Sequence, residues 1–191
     1  MARISIIGTG SMGQAISTAL TRGGHGVELL GRTEADKPVT GDIVVLAVPY
    51  PALAEIAATR AEQLAGKVVV DITNPVDFET FDSLTVPADS SATAELAAAL
   101  PTARVVKAFN TTFAATLASG TVGELPTTVL IAGDDAEAKS VLADVVIASG
   151  LRAVDAGALS RARELEAVGF LQITLAAAEK ISWTAGFAVV S

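Results

Sequence analysis

The chain contains no cysteine, which removes disulfides, thiolate metal sites and cysteine nucleophiles. It has one histidine, His25, so zinc chemistry is close to excluded and no metal site is expected. Basic residues are scarce: 13 Lys and Arg stand against 21 Asp and Glu, a formal net charge of −8. No basic stripe offsets that balance, and nucleic acid is not an expected partner. No apolar run approaches the roughly 18–20 residues that cross a bilayer. The first residues lead straight into a strand without a charged leader or cleavage site, so a cytoplasmic location without membrane contact is expected.

Apolar residues are abundant, at 51%, with Ala, Val, Leu and Gly dominant and aromatics at only 4%. Such a composition suits an α/β domain whose strands are buried on both faces. A length of 191 residues allows one full domain. We assign 1–157 to a dinucleotide-binding domain and 158–191 to a C-terminal helix and tail of the same compact unit.

Periodicity gives an alternating order of elements. Residues 3–7 read as a β-branched strand, 11–24 as a helix with a Gly-Gly stop, and 26–31 (GVELLG) as a second strand. Then follow a strand at 42–48, a helix at 51–64, a strand at 67–72, and a long loop containing Asn74, Pro75 and Pro87. A helix at 90–100, a strand at 103–109, a helix closed by Gly120, a strand at 127–133, a helix at 134–149 and a strand at 151–157 complete the domain. One long helix is expected over 159–181. The alternation predicts a Rossmann-type parallel sheet with flanking helices. It is shortened after the second strand, because ten residues (32–41) without periodicity replace the usual helix and third strand. Extended chain rises about 3.3 Å per residue, so ten can return along one strand, which leaves GVELLG at the sheet edge.

Gly8-Thr9-Gly10-Ser11-Met12-Gly13 matches GxGxxG between a strand and a helix, the context that gives the pattern its meaning. Gly8 permits the tight turn, Gly10 admits a pyrophosphate to the backbone, and Gly13 lets the helix pack on the strand, while helix N–H groups hold the phosphates. After the second strand, an NAD site has an acid for the ribose 2′-hydroxyl; here Gly31-Arg32-Thr33 stands instead, which favours the 2′-phosphate of NADP. The alternative is a solvated arginine, and the register of Glu28 decides whether that acid nears the ribose.

Three segments reach the expected nicotinamide end: Ala47-Val48-Pro49-Tyr50, Thr73-Asn74-Pro75 and Ala108-Phe109-Asn110-Thr111. Val48 and Pro49 offer an apolar surface for the ring. The Asn74 and Asn110 amides suit either a ligand or an Asx turn. Lys107, inside an apolar strand, is either a general acid or a structural lysine that pairs or snorkels. His25, in the turn before the second strand, lies at the opposite end of the sheet and reads as structural. On the last helix, i,i+3 spacing pairs Arg161 with Glu164 and Arg163 with Glu166, unless an arginine receives an anionic group of the second substrate.

GTGSMGQAI, GRT, DITNP, VVKAFNTT, AGDD and DAGALSRARELE together resemble the deazaflavin-dependent NADP reductase family, across nearly the whole chain. They are also similar to the cytosolic NADPH-oxidising domain of six-transmembrane metalloreductases, whose transmembrane part is lacking here. The resemblance implies hydride transfer between NADPH and coenzyme F-420, or FMN or FAD. It implies cofactor contacts from Thr9, Ser11, Met12, Arg32, Thr33, Val48, Pro49 and Asn74, with the acceptor ring near Asn110 and Thr111. Gly8, Gly10, Gly13, Ala47 and Pro75 complete the expected cofactor set. Two stacked rings exchange hydride directly, so no catalytic acid–base residue is expected. The opening is also similar to hydroxyacid dehydrogenases and pyrroline-carboxylate reductases, which carry a large helical second domain.

Two other functions fit the motifs: an NADPH-binding sensor without turnover, and an NADPH-dependent reductase of a small carbonyl or imine, for which Lys107 and Tyr50 are the candidate proton donors. The apolar tail TAGFAVVS predicts a homodimer through the C-terminal helix and tail.

Overall fold

Runs of Val and Ile whose two faces both shun water line up side by side and are covered by helices. In the computed structural model, which describes residues 1–34 and 36–190, five such strands run parallel. They are β1 (Arg3–Ile7), β2 (Gly26–Leu30), β3 (Ile43–Leu46), β4 (Val68–Asp71) and β5 (Arg104–Lys107), in the spatial order β2-β1-β3-β4-β5. Every residue of β3 and β4 is buried. Alternate side chains point to opposite faces. Ile4, Ile6, Val45, Val70 and Val106 meet α1 (Ser11–Arg22) and α5 (Ala136–Ala148), whereas Ile7, Val44, Leu46, Val69 and Val105 meet α2 (Ala52–Leu64) and α3 (Ala92–Ala99). The Rossmann-type layering predicted from periodicity is therefore found.

The sheet is not parallel throughout. α4 (Ala114–Ser119) has only six residues and stops at Gly120, whose φ of 80° is left-handed. A two-residue ladder, β6 (Thr121–Val122) with β7 (Leu125–Pro126), follows it. Neither element recrosses the sheet. β8 (Thr128–Gly133) thus enters from beyond the carboxyl ends and pairs antiparallel with β5, through Val106↔Gly133 and Lys107↔Ala132. β9 (Arg152–Gly157) lies parallel to β8 on the outer edge. The expected all-parallel sheet is corrected to five strands in one direction and two in the other.

β2 is an edge strand, as the short connection requires. A 3₁₀ turn, Arg32–Glu34, begins that connection, and residue 35 within it lies outside the described residues. The later part is tied down from both sides. Gly41 donates its N–H to Ser5 Oγ at 2.8 Å, and a Cβ there would stand 2.4 Å from Ser5 N. Arg60 of α2 donates to the carbonyls of Lys37 (2.9 Å) and Glu34 (3.3 Å), Gln63 Oε1 accepts from Val39 N–H (2.9 Å), and Val39 is buried. A helix-sized gap is thus filled by one valine and two side-chain clamps.

The last helix is shorter than periodicity suggested. α6 (Ala162–Ala177) follows a separate 3₁₀ turn, Leu159–Arg161. The tail folds back on its own chain: the Trp183 ring lies 5.0 Å from that of Phe113, Phe187 N–H donates to Gln172 Oε1 (3.3 Å), and Arg152 donates to Val189 O (2.9 Å). Residue 191, the end of the tail on which the dimer expectation rests, lies outside the described residues.

Candidate cofactor site

Because β1, β3, β4 and β5 share direction and register, the residues that follow them form one rim: Gly8, Ala47, Ile72 and Ala108. Ligands of open α/β sheets bind along such carboxyl ends. The three motif glycines do different work there. At Gly8, φ is 119° and a Cβ would stand 2.0 Å from Ala47 O; at Gly13 it would stand 2.1 Å from Gly8 O. At Gly10 nothing lies within 4 Å, so the space above it is open. Gly10 is also the N-cap of α1, which has no side-chain cap and no acid in its first turn. The leading N–H groups of a helix have no intrahelical partner. Ser11 and Met12 therefore present donors and a positive dipole end to that space, which fits a diphosphate.

At the corner where adenosine is expected, Arg32 and Thr33 are exposed on the 3₁₀ turn. Glu28 is not in this corner: it stands opposite Ser5 in mid-strand and accepts hydrogen bonds from Ser5 and from Thr40 N–H (3.0 Å) and Oγ1 (2.7 Å). Burial opposes its charge, but those hydrogen bonds outweigh it and hold the carboxyl below the ordinary range. The acid that does reach the corner is Glu34, which sequence reasoning missed. Its Oε2 accepts the Gly31 N–H at 2.9 Å and it pairs with Lys37; the Gly31 bond and then the lysine hold its pKa low. The turn after Gly31, three residues long, was the available signal. The segment from Arg32 to Lys37 therefore carries two cations, Arg32 and Lys37, and two acids, Glu34 and Asp36, and Lys37 is engaged by Glu34.

At the other end Ala47 and Val48 are half-buried, Pro49 is exposed, and the Tyr50 hydroxyl donates to Glu95 Oε2 at 2.6 Å. That bond, aided by burial, pushes the phenol up to about 12. Asn74 and Asn110 come together as a pair: Asn74 Nδ2 donates to Asn110 O (2.9 Å), and Asn110 Nδ2 donates to Asn74 Oδ1 (2.9 Å) and Leu165 O (2.8 Å). Their amides join two loops to α6, and the Asx-type bond belongs to Asp71, whose Oδ1 accepts from Thr73 N–H (2.8 Å). Pro75 is buried, with its carbonyl taken by Thr85 N–H (2.7 Å), and Thr111 is buried beside Asn110. Phe109, fully buried, has φ of 62°. A left-handed non-glycine costs about 1–3 kcal/mol and persists where its surroundings over-determine it. Two polar atoms here are buried without a partner, Thr73 Oγ1 and Asn110 Oδ1.

Lys107 is fully buried, and its ammonium donates to Asp71 Oδ2 (2.9 Å), Glu166 Oε1 (2.8 Å) and Thr73 O (2.6 Å). Three protons meet three acceptors, and the pairing alternative holds. Glu166 is therefore not the surface partner of Arg163. It lies in the buried stripe Ala162, Leu165, Glu166, Gly169 of α6, while Arg163 is exposed. The pairing of Arg161 with Glu164 is found, at 3.0 Å. His25 accepts from Ala2 N–H at the far end of the sheet (3.2 Å). An apolar cavity of about 200 Å³ between α2 and α3, lined by Leu53, Ala57 and Leu96 with Tyr50 at its edge, contains none of the expected cofactor residues. Among the described residues, no helix is long and apolar enough to cross a membrane.

Residues 29–75, which include the Arg32–Glu34 turn and the Asn74 loop, match the family model of NADP oxidoreductase, coenzyme F420-dependent. Over 160 residues the chain is 31% identical to the F420-dependent NADP reductase of Methanocaldococcus jannaschii, covering 82% of this chain and 71% of that one. The chain belongs to the F420-dependent NADP reductase family. It is also similar to the rat metalloreductase STEAP3, 29% identical over 181 residues, but spans only 36% of that protein. A crystal structure from Arthrobacter sp. FB24, of a protein named as a candidate F420-dependent NADP reductase, superposes over the full length of both chains with a TM-score of 0.88 and 27% identity. The agreement extends to β8, β9 and α6, beyond the segment matched by the family model.

Proposed function

We propose that the protein is an NADP-dependent oxidoreductase that passes a hydride between NADPH and a deazaflavin of the coenzyme F-420 class, or a flavin. The observation that carries this reading is the rim itself. It has an uncapped helix start over open space that suits a diphosphate, an exposed Arg32 on the turn where a 2′-phosphate would lie, and, at the opposite end, Tyr50 and Lys107 each already committed to partners. NADP(H) would be held by Gly8 to Gly13 at its phosphates, by Arg32 and Thr33 at the 2′-phosphate, and by Ala47, Val48, Pro49 and Asn74 at the ring, with Pro75 backing that loop. The acceptor would lie near Asn110 and Thr111. NADPH, when bound, would supply the hydride, and the chain's role would be to align two rings, which needs no proton donor on the protein.

The rival reduction of a carbonyl or imine requires such a donor. Both candidates are committed, Tyr50 to Glu95 and Lys107 to three acceptors. We also propose that two copies pair through α6 and the tail, where Val168, Leu171, Trp183 and Phe187 remain exposed. The deciding experiment follows NADPH absorbance anaerobically with coenzyme F-420, FMN and FAD in turn, with NADH as control donor. Rapid loss with one acceptor and not with NADH supports the reading and names the partner. Tight NADPH binding without oxidation favours the sensor.

A further inference from the structure

We propose that Lys107, Asp71 and Glu166 are positioning residues: a buried ion cluster that sets Thr73 and Asn110 as the seat of the nicotinamide carboxamide. This rests on the proposed NADP site. All three charged side chains are fully buried, and two carboxylates share one ammonium. Buried ion clusters stabilise poorly compared with apolar packing of the same volume. This one is wired to the rim instead. Lys107 takes Thr73 O, Asp71 takes Thr73 N–H, and Thr93 Oγ1 joins Asp71 Oδ2 (2.7 Å) to Glu166 Oε1 (3.3 Å). Glu166 Oε2 accepts the Ala92 N–H that opens α3 (3.1 Å). The residue before it, Leu165, gives its carbonyl to Asn110 Nδ2, and one turn further Gly169 packs on Asn74, where a Cβ would stand 2.4 Å from Oδ1. Ends of β4, β5, α3 and α6 are thereby fixed to one another at the two loops expected to face the ring.

A second observation points to the ligand. Thr73 Oγ1 and Asn110 Oδ1 are buried, unpartnered polar atoms on those two loops, each residue at least nine-tenths buried. Native proteins rarely leave such atoms unsatisfied. One is an acceptor and the other a hydroxyl that can donate, the complement of an amide with N–H donors and a carbonyl. The left-handed Phe109 immediately before Asn110 turns the chain at this point.

The test uses the full chain with Thr73→Val, Lys107→Met and Glu166→Gln, each assayed for NADPH emission on binding, for NADPH affinity, and for affinity for 2′,5′-ADP, which lacks the nicotinamide. Thr73→Val is expected to weaken NADPH by about tenfold, the worth of one hydrogen bond, and to reduce the emission gain of the bound ring. Lys107→Met and Glu166→Gln should do the same through the loops, while 2′,5′-ADP binding stays within about twofold of wild type. Should Lys107→Met fail to fold, Glu166→Gln and Thr73→Val carry the test. Unchanged NADPH affinity and emission in the folded variants overturns the proposal, and so does an equal loss for both ligands, which would mark general loosening. A wild-type chain that binds NADPH but reduces no deazaflavin or flavin defeats the proposed function while these binding readouts still decide the cluster's role. A wild-type chain that binds no NADPH overturns both.

Discussion

Replacing Lys107 by methionine leaves Asp71 and Glu166 facing each other in the core without their cation. Removing one partner of a buried pair typically costs about 3–5 kcal/mol. Here the carboxylates keep the Thr93 hydroxyl and the N–H groups of Thr73 and Ala92, so the lower end applies, about 3 kcal/mol near pH 8. At about 2–4 °C per kcal/mol for a chain of this size, the melting temperature should fall by roughly 6–12 °C. The penalty should also depend on pH. Burial already pushes the Glu166 carboxyl up, against the pull of Lys107. A carboxyl raised on folding contributes stability that is complete below its unfolded value and is lost as pH rises through the folded one. Without the ammonium the rise grows, at about 1.4 kcal/mol per pH unit. The difference between wild type and variant should therefore shrink by more than about 1 kcal/mol between pH 8 and pH 5, as the variant keeps a proton that the unfolded chain releases. Urea unfolding followed by far-ultraviolet circular dichroism at both pH values measures it. A variant within about 1 kcal/mol of wild type at pH 8, or a penalty that does not shrink on acidification, refutes the reasoning.

Gly8→Ala should destabilise by about 3 kcal/mol or more through its collision with Ala47 O, whereas Gly10→Ala should leave the melting temperature alone and weaken NADPH by about tenfold; melts and titration calorimetry separate the two. Arg32→Ala should raise the NADPH dissociation constant by about 10–100-fold and spare NADH, the loss of a charge-assisted contact worth roughly 1.5–3 kcal/mol. Equal affinities before and after would remove Arg32 from the site. Tyr50→Phe should keep turnover within about twofold in steady-state assays, because a phenol pushed up to about 12, its proton held by Glu95, is a weak general acid at neutral pH; a large drop would revive the carbonyl or imine reading. Sedimentation at micromolar concentration should show a dimer that deletion of 182–191 dissociates, and a wild-type monomer would count against the pairing.

The sequence revealed what depends on local pattern and on chain length. β1, the glycine turn and α1 follow from a β-branched run meeting GxGxxG, and the edge position of β2 follows from ten residues that cannot hold a helix and another strand. Strand direction was not legible, since alternation of apolar residues is identical in parallel and antiparallel ladders; only the six-residue length of α4 hints that the chain does not recross. Glu166 was misplaced because i,i+3 spacing pairs it with Arg163 on paper, while its place in the stripe of Ala162, Leu165 and Gly169 decides its burial. The need was nonetheless written in Asp71 and Lys107, charged residues inside apolar strands that require partners. The contact of Asn74 with Asn110, 36 positions apart, depends on the register of β4 with β5 and could be drawn only from coordinates.

The short connection after β2 walls the adenosine corner on one side with a single turn. A dinucleotide seated as proposed would be gripped at its phosphates and its reactive ring, while its adenine would face solvent, so ionic strength would govern how long it stays. A protein built this way would exchange its dinucleotide with the common supply at every cycle instead of retaining it as a prosthetic group. Its direction of working would then follow the ratio of reduced to oxidised cofactor around it.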